Sequence, residues 1–267
     1  MPHTSTITDV VAADASSWCI SLAQYNRQTT EHQICKGSEI QWEQLSKIKC
    51  LWNLEIIDDP GFLSIAPLSN LTSLTRLGLL NCENIRMDGF NPLITLVNLK
   101  ELEVYNRDHP RSVAADLLSD LVMASRAKNV FPATGSFQLE KLEVDSSSAA
   151  LVAPICALLA DTLQELSFWY DKRVQSLTEE EENALQLLTS LQHLSFVECQ
   201  GLPSLPQRLH HLSSLKKLEV IRCAKIRSLP KEGIPNSLKE LVIVDCGPEL
   251  RDQVYTVKQK YPDLQVS

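Results

Sequence analysis

Glycine is scarce in this chain, with eight residues in 267. So few leave no Gly-rich loop to cradle a phosphate group. Aromatic residues are also few, six Phe and five Tyr, so Leu, Ile and Val must supply most of the core. No apolar run reaches the roughly 18 residues that a membrane-spanning helix needs. Positive charge is in deficit: 25 basic residues against 33 acidic ones give a net charge of −8. That balance argues against a basic groove for nucleic-acid backbones and against general attraction to anionic membranes. The opening residues, MPHTSTITDVVAADASSW, have neither the basic n-region nor the apolar h-region of a secretory leader. The expectation is a cytoplasmic chain, with the nucleus as a second compartment, whose eight cysteines are thiols. Cys19, Cys35, Cys50 and Cys156 show no C-x-x-C or Cys/His zinc spacing. No metal and no cofactor is expected.

What is present is ordinary in bulk and unusual in order. Apolar residues make up 44% and charged residues 22%, enough for a soluble fold with a core. The order is a repeat, L-x-x-L-x-L-x-x-C. Leu74, Leu77, Leu79 and Cys82 form one complete copy, and three more end in Cys199, Cys223 and Cys246. Leu51, Leu54 and Ile56 fit with Asp59 in the last slot. Copies also begin at Leu99, Leu139 and Leu163, which makes eight. Their starting positions differ by 23, 25, 40, 24, 28, 24 and 23 residues. Most of these spacings fall within the leucine-rich repeat range. One such unit cannot bury its own Leu face, but stacked neighbours bury a continuous core. The predicted fold is α/β: a leucine-rich repeat solenoid, a curved horseshoe with a parallel concave sheet and short helices and loops on the convex side. The recurrent cysteines then read as small residues that pack and support the turn after each strand.

Two spacings break the period. The longer one contains Val113, Leu117, Leu118, Leu121 and Val122 at helical spacing, which predicts a helical insertion near 108–136, about three turns long. The other contains SLTEEEENALQLL, where Thr178 and Glu181 read as a capping box. The Glu run there reads as a solvated helix start. The expected organisation is an N-terminal segment, 1–45, holding a degenerate repeat or partly disordered, a repeat array over 46–246, and a capping helix within 247–267. Leu250, Val254 and Val257 supply the apolar side of that last helix.

The stretch 188–253, LTSLQHLSFVECQGLPSLPQRLHHLSSLKKLEVIRCAKIRSLPKEGIPNSLKELVIVDCGPELRDQ, resembles the final repeats of plant intracellular nucleotide-binding leucine-rich repeat immune receptors, of the coiled-coil type common in grasses. Cys-ended strands, Leu-Pro pairs, the LPKEGIPNSLKEL passage and the CGPEL ending carry the likeness; residues 46–187 match more loosely. The resemblance implies protein recognition in plant defence, with a pathogen effector or the receptor's own nucleotide-binding module as the partner. The chain departs from such receptors in having no G-x-x-x-x-G-K-[ST] phosphate loop. A free-standing scaffold or decoy is therefore kept as a second reading.

In a strand, the residues between the inward Leu positions face the other way. With strands about 4.8 Å apart, eight of them expose a face roughly 34 Å long. Its middle column includes Glu103 and Glu143, and its third column, Ile57, Leu80, Tyr105, Asp145, Trp169, Val197, Ile221 and Val244, is mostly apolar. Exposed apolar rows edged by charge mark contact sites, and aromatic residues anchor them. Tyr105 and Trp169 are the expected anchors, with Val197 and Ile221 beside them. Glu103 and Glu143 would select a basic partner, and His193 and Lys217 stand in the adjoining column. Neither His193 nor the His210-His211 pair has a Ser or Cys partner at an interpretable spacing. No catalysis is assigned.

Overall fold

The computed structural model describes residues 17–21, 51–59, 63–86, 93, 95–107, 111–128 and 138–267. The chain divides into two units, Met1–Leu139 and Glu140–Ser267. The sequence expectations for 1–45 lie outside the described residues except at Ser17–Ser21.

In the first unit four parallel strands follow one another: β1 (Ser17–Ser21), β2 (Asn53–Ile57), β3 (Arg76–Leu80) and β4 (Glu101–Tyr105). Leu54 pairs with Leu77 and Leu77 with Leu102, while Ile56 pairs with Leu79 and Leu79 with Val104. The register of the sheet is thus the alignment of the motif. Strand β1 obeys it too, with Trp18 opposite Leu54 and Ile20 opposite Ile56. Helix α1 (Val113–Lys128) follows β4. Its 16 residues make more than four turns, longer than the periodicity suggested. Val113, Leu117, Leu118 and Leu121 bury its inner side. The Ser112 hydroxyl accepts from the Ala115 N–H at 2.9 Å and caps its start.

The second unit continues with β5 (Lys141–Val144), β6 (Glu165–Trp169), β7 (His193–Val197), β8 (Lys217–Ile221), β9 (Glu240–Val244) and the short β10 (Gln265–Val266), again parallel. Its helices are α2 (Ser147–Ala150), α3 (Ala153–Leu159), α4 (Glu179–Leu185) and α5 (Pro248–Lys260). Both units are leucine-rich repeat stacks, each an open parallel sheet with return segments behind it. The second-slot leucines, from Leu54 to Leu241, are no more than 1% exposed. Each contributes about 1.5–3 kcal/mol when buried, and Phe168 and Phe196 pack with ring centroids 5.4 Å apart where the motif has Phe instead.

Two backbone ladders hold the copies in register. Before β2, β3 and β5 to β8 one carbonyl accepts two N–H groups from the next copy, among them Trp52 O from Thr75 and Arg76, Gln192 O from Lys216 and Lys217, and Lys216 O from Lys239 and Glu240. After β2, β3, β6, β7 and β8 an N–H reaches to the end of the following strand: Asp58 to Leu80 O, Asn81 to Tyr105 O, Tyr170 to Val197 O, Glu198 to Ile221 O, Arg222 to Val244 O. These donors sit in the left-handed region, as does Asp245 after β9, with φ of 52° to 56° at all six positions. Asn and Asp accept that conformation readily; Tyr, Glu and Arg do so at a cost.

The next residue is the final motif slot. Cys82 Sγ donates to Ile56 O at 3.4 Å and Leu80 O at 3.5 Å. Cys199 does the same with Phe168 O, Cys223 with Phe196 O, and Cys246 with Val220 O. The partners are carbonyls of the preceding strand and of the thiol's own strand, so the slot ties strand ends together rather than serving a neighbouring turn. Burial pushes the Cys82 thiol up to about 12, which keeps its S–H available as a donor at neutral pH. Asp171 fills the slot after β6; its Oδ2 accepts from Ser147 N at 2.7 Å and Ser147 Oγ at 2.8 Å.

The capping box is present on α4: Thr178 N donates to Glu181 Oε2 at 2.7 Å, and Glu181 N donates to Thr178 Oγ1 at 3.2 Å. The Glu run is only partly a solvated start. Glu182 accepts from Gln207 N at 2.9 Å and Arg208 N at 3.2 Å, and Arg208 meets Glu179 at 3.1 Å, so the run clamps the next return segment. The tail is more than a helix. After α5, whose Leu250 and Val254 are buried, the chain buries Leu264 and adds β10 to the edge of β9. Among the described residues no helix is long and apolar enough to cross a membrane.

Replacing Cys199 by Ala deletes the donor to Phe168 O together with one buried sulfur atom. A loss of about 1 kcal/mol is expected, read as a lower urea midpoint at unchanged slope. At Arg222 the backbone conformation can be tested separately from its ion pair. Arg222→Val and Arg222→Gly both lose the Glu198 contact, but only Val meets the left-handed penalty of about 1–2 kcal/mol. The Val variant should therefore melt below the Gly variant.

Candidate functional site

The outward face of each sheet is built by residues that alternate with the buried Leu positions. In the first unit Arg76 leads β3, and Glu101 and Glu103 stand on β4. Arg76 Nη2 donates to Glu103 Oε1 at 2.9 Å, and its Nε lies 3.6 Å from Glu101 Oε2. Glu103 is only 5% exposed. It already has a basic partner within the chain, so an incoming cation would have to displace Arg76. Tyr105 ends β4, half-buried, opposite Leu80 in the register.

The face of the second unit has three recognisable columns. The first two interlock by charge. Lys141 meets Glu143 at 2.9 Å. Glu219 receives both His193 Nε2, at 2.9 Å, and Lys217 Nζ, at 2.8 Å. Lys217 also lies 3.5 Å from Glu240. Burial alone would raise the Glu219 carboxyl. The hydrogen bond from Lys217 and the charge of His193 outweigh it and hold the group below its ordinary value. Lys217 is raised in turn, chiefly by its hydrogen bond to Glu219. Ser167 and Ser195 occupy the middle column between these groups and are buried.

The third column supplies the apolar element. Pairing of β6 to β9 aligns Trp169, Val197, Ile221 and Val244 side by side. Trp169 and Ile221 are half-buried and Val244 is 40% exposed, whereas Val197 is 6% exposed and forms the floor between them. Asp145, the same position on the copy before, is buried at 3%. The next position along each copy forms a charged edge: Arg222 lies 3.1 Å from Glu198 and 3.8 Å from Asp245. An apolar strip crossing four strands, about 14 Å at the strand spacing, thus has the Glu219 cluster on one side and the Glu198–Arg222–Asp245 edge on the other.

The structure brings Trp169, Val197, Ile221, His193 and Lys217 together on the second unit, with Glu143 at β5. Tyr105 and Glu103 belong to the first unit. Motif counting had passed over Val244 as a contact residue, although it is the most exposed member of the strip. It had also missed the Glu198–Arg222–Asp245 edge, which lies one residue beyond the strand. The left-handed turn brings that residue back to the face, and the recurrence of large polar residues just before the Cys slot was the available signal. Among the described residues, no three His, Cys, Asp or Glu side chains gather to hold a metal ion.

Similarity to known proteins is found among solved structures, at low identity. No family model matches it, and no curated protein matches it. Solved structures with similarity include a leucine-rich repeat protein of Leptospira interrogans, 17% identical, covering 84% of this chain with a TM-score of 0.43. The chain spans 62% of that protein's length. Internalin C2 of Listeria monocytogenes is 18% identical over 84% of this chain and 83% of its own, with a TM-score of 0.42. The plant peptide hormone receptor RGFR1, in complex with RGF2, is 15% identical over 76% of this chain and 26% of its own, with a TM-score of 0.35. The leucine-rich repeat assignment stands on the strand register itself.

The Glu219 cluster gives a pH dependence of known sign. A carboxyl whose folded value is depressed stabilises the protein above its unfolded value, about 4.3, and loses that contribution as pH falls through the folded value. Glu219→Gln should therefore be less stable than the wild type at about pH 6, with the gap closing toward about pH 3. Urea midpoints of both proteins across that range provide the measurement; a gap that widens in acid contradicts the sign.

Proposed function

We propose that this chain is a protein-recognition module working inside plant cells in defence. In this reading it senses a pathogen protein or restrains a nucleotide-binding switch, in the cytoplasm or the nucleus. The resemblance of residues 188–253 to the closing repeats of plant immune receptors supplies the biological setting. The strip Trp169–Val197–Ile221–Val244 is the physical observation that carries recognition. Its aromatic and branched side chains are held by paired strands, so little side-chain freedom is lost on contact. Its charged borders are satisfied internally and can exclude water around an apolar centre.

A partner for this strip presents an apolar side chain or two with polar groups around them. A strongly basic peptide fits less well, because Glu103, Glu143 and Glu219 are already engaged by Arg76, Lys141 and Lys217. The chain has no phosphate loop of its own. Any nucleotide-dependent switching must therefore come from a partner or from another segment, and this leaves room for the second reading of a free-standing scaffold or decoy.

The test uses the whole chain as bait in plant-cell extract, beside Ile221→Asp/Val244→Asp and, separately, Tyr105→Asp, all checked for an intact thermal transition. Wild type should retain a partner that the β8–β9 double variant loses. Retention of the same proteins by the double variant would remove the strip from the recognition surface. If the retained partner contains a nucleotide-binding module or is a pathogen protein, the defence reading stands; a partner of neither kind favours the scaffold.

A further inference from the structure

The three turns that lead into β7, β8 and β9 form a groove of about 440 Å³ in the second unit. Each turn closes by an N–H returning three residues: Leu191 to Leu188 O, Leu215 to Leu212 O, Leu238 to Pro235 O. The two residues at each tip are short, Thr189-Ser190, Ser213-Ser214 and Asn236-Ser237. Short tips explain the open space, and the volume lies in the range of about 300–1,000 Å³ seen for small-molecule sites. Ser190, Ser213 and Ser214 spend no hydroxyl on the described residues, whereas Ser237 Oγ donates to Leu212 O at 3.3 Å.

Lysines flank these hydroxyls. Lys216 and Lys239 occupy equivalent positions on neighbouring copies, and Lys239 N donates to Lys216 O at 2.7 Å. Like charges facing one another across adjacent strands repel. Lys216 Nζ bonds to Gln192 Oε1 at 2.6 Å, and the Lys239 ammonium has no partner among the described residues. In the same unit Lys141, Lys217 and Arg222 each meet a carboxylate. No acidic residue lines the groove. Two uncompensated ammonium groups beside unused hydroxyls are therefore a local arrangement that an anion would relieve.

We propose that this groove binds a phosphate ester of a polyol. The ammonium groups would pair with phosphate oxygens as point charges. The Ser hydroxyls can donate to phosphate or accept from the polyol, since each is both donor and acceptor. The groove lies at the entry end of strands whose exit end carries the Trp169–Val244 strip. The proposal is therefore independent of the recognition surface. A soluble sugar phosphate and a phosphoinositide headgroup share this chemistry.

Isothermal titration calorimetry with glucose 6-phosphate, glucose and inorganic phosphate tests the soluble source. Co-sedimentation with phosphatidylcholine vesicles, with and without phosphatidylinositol 4-phosphate, tests the lipid source. Binding of the phosphate ester in either arm is expected, with a loss of about tenfold or more in Lys216→Ala/Lys239→Ala and weakening with added salt. A second variant, Ser214→Val, fills the groove and keeps its charge, and it should also weaken binding. Both variants change exposed or half-exposed residues, and thermal melting confirms their folding. No binding in either arm overturns the assignment, as does wild-type affinity in the double-lysine variant. Inorganic phosphate binding as tightly as glucose 6-phosphate overturns the polyol part of it.

Discussion

No single copy of the L-x-x-L-x-L segment can bury its own leucines. Everything else in the molecule follows from that constraint. A five-residue strand such as Lys217–Ile221 has its apolar side covered only when the copies before and after it lie in register. Free energy accrues at the contacts between copies, so stability is close to a sum of nearest-neighbour terms. At β2, β3 and β6 to β8 the bifurcated ladder before the strand and the single bond after it fix the register at both ends. The Cys slot adds a third tie. The interior is thus built from leucine, carbonyl and thiol, and the outward face carries the ion pairs and the apolar strip.

Much of this was legible in the sequence, because the motif states the register directly. Every strand begun by a recognisable copy lies where the Leu spacing put it. Strand β1 was not legible: Ala15 stands where its first Leu would be, and Trp18 and Ile20 carry the rest. Strand β10 escaped notice because it has only two residues and follows a helix that itself looked like an ending. Helices α1 and α5 were recognisable from apolar spacing and α4 from its capping box, whereas α2 and α3 were passed over; the length of α1 was underestimated because no large apolar side chain after Met123 continues the spacing.

The face was only half legible. Alternation names which residues point outward, and that was enough to align Trp169, Val197 and Ile221. Alternation does not say how deeply a neighbour covers them, which is why Val197 proved to be floor and Val244 summit. Charge pairing was beyond reach. Whether Lys217 meets Glu219 or Glu240 depends on side-chain rotamers and cross-strand distance, and it meets both. The acidic column, which as letters looks like a lure for basic partners, is in the folded chain largely a set of completed ion pairs.

The left-handed residues that follow β2, β3 and β6 to β9 have a wider consequence. In most proteins a backbone position with positive φ is reserved for glycine and so carries no side chain. Here the ladder holds the turn at Tyr170, Glu198 and Arg222, and Asp245 takes the same conformation on the next copy of the second unit. An aromatic ring, an anion, a cation and a short acid have all been written onto one conformation. The molecule therefore has a row of sites where chemistry can be exchanged without redesigning the chain path, and that row borders its apolar strip. A lineage of such proteins can change what it touches while its architecture stays still.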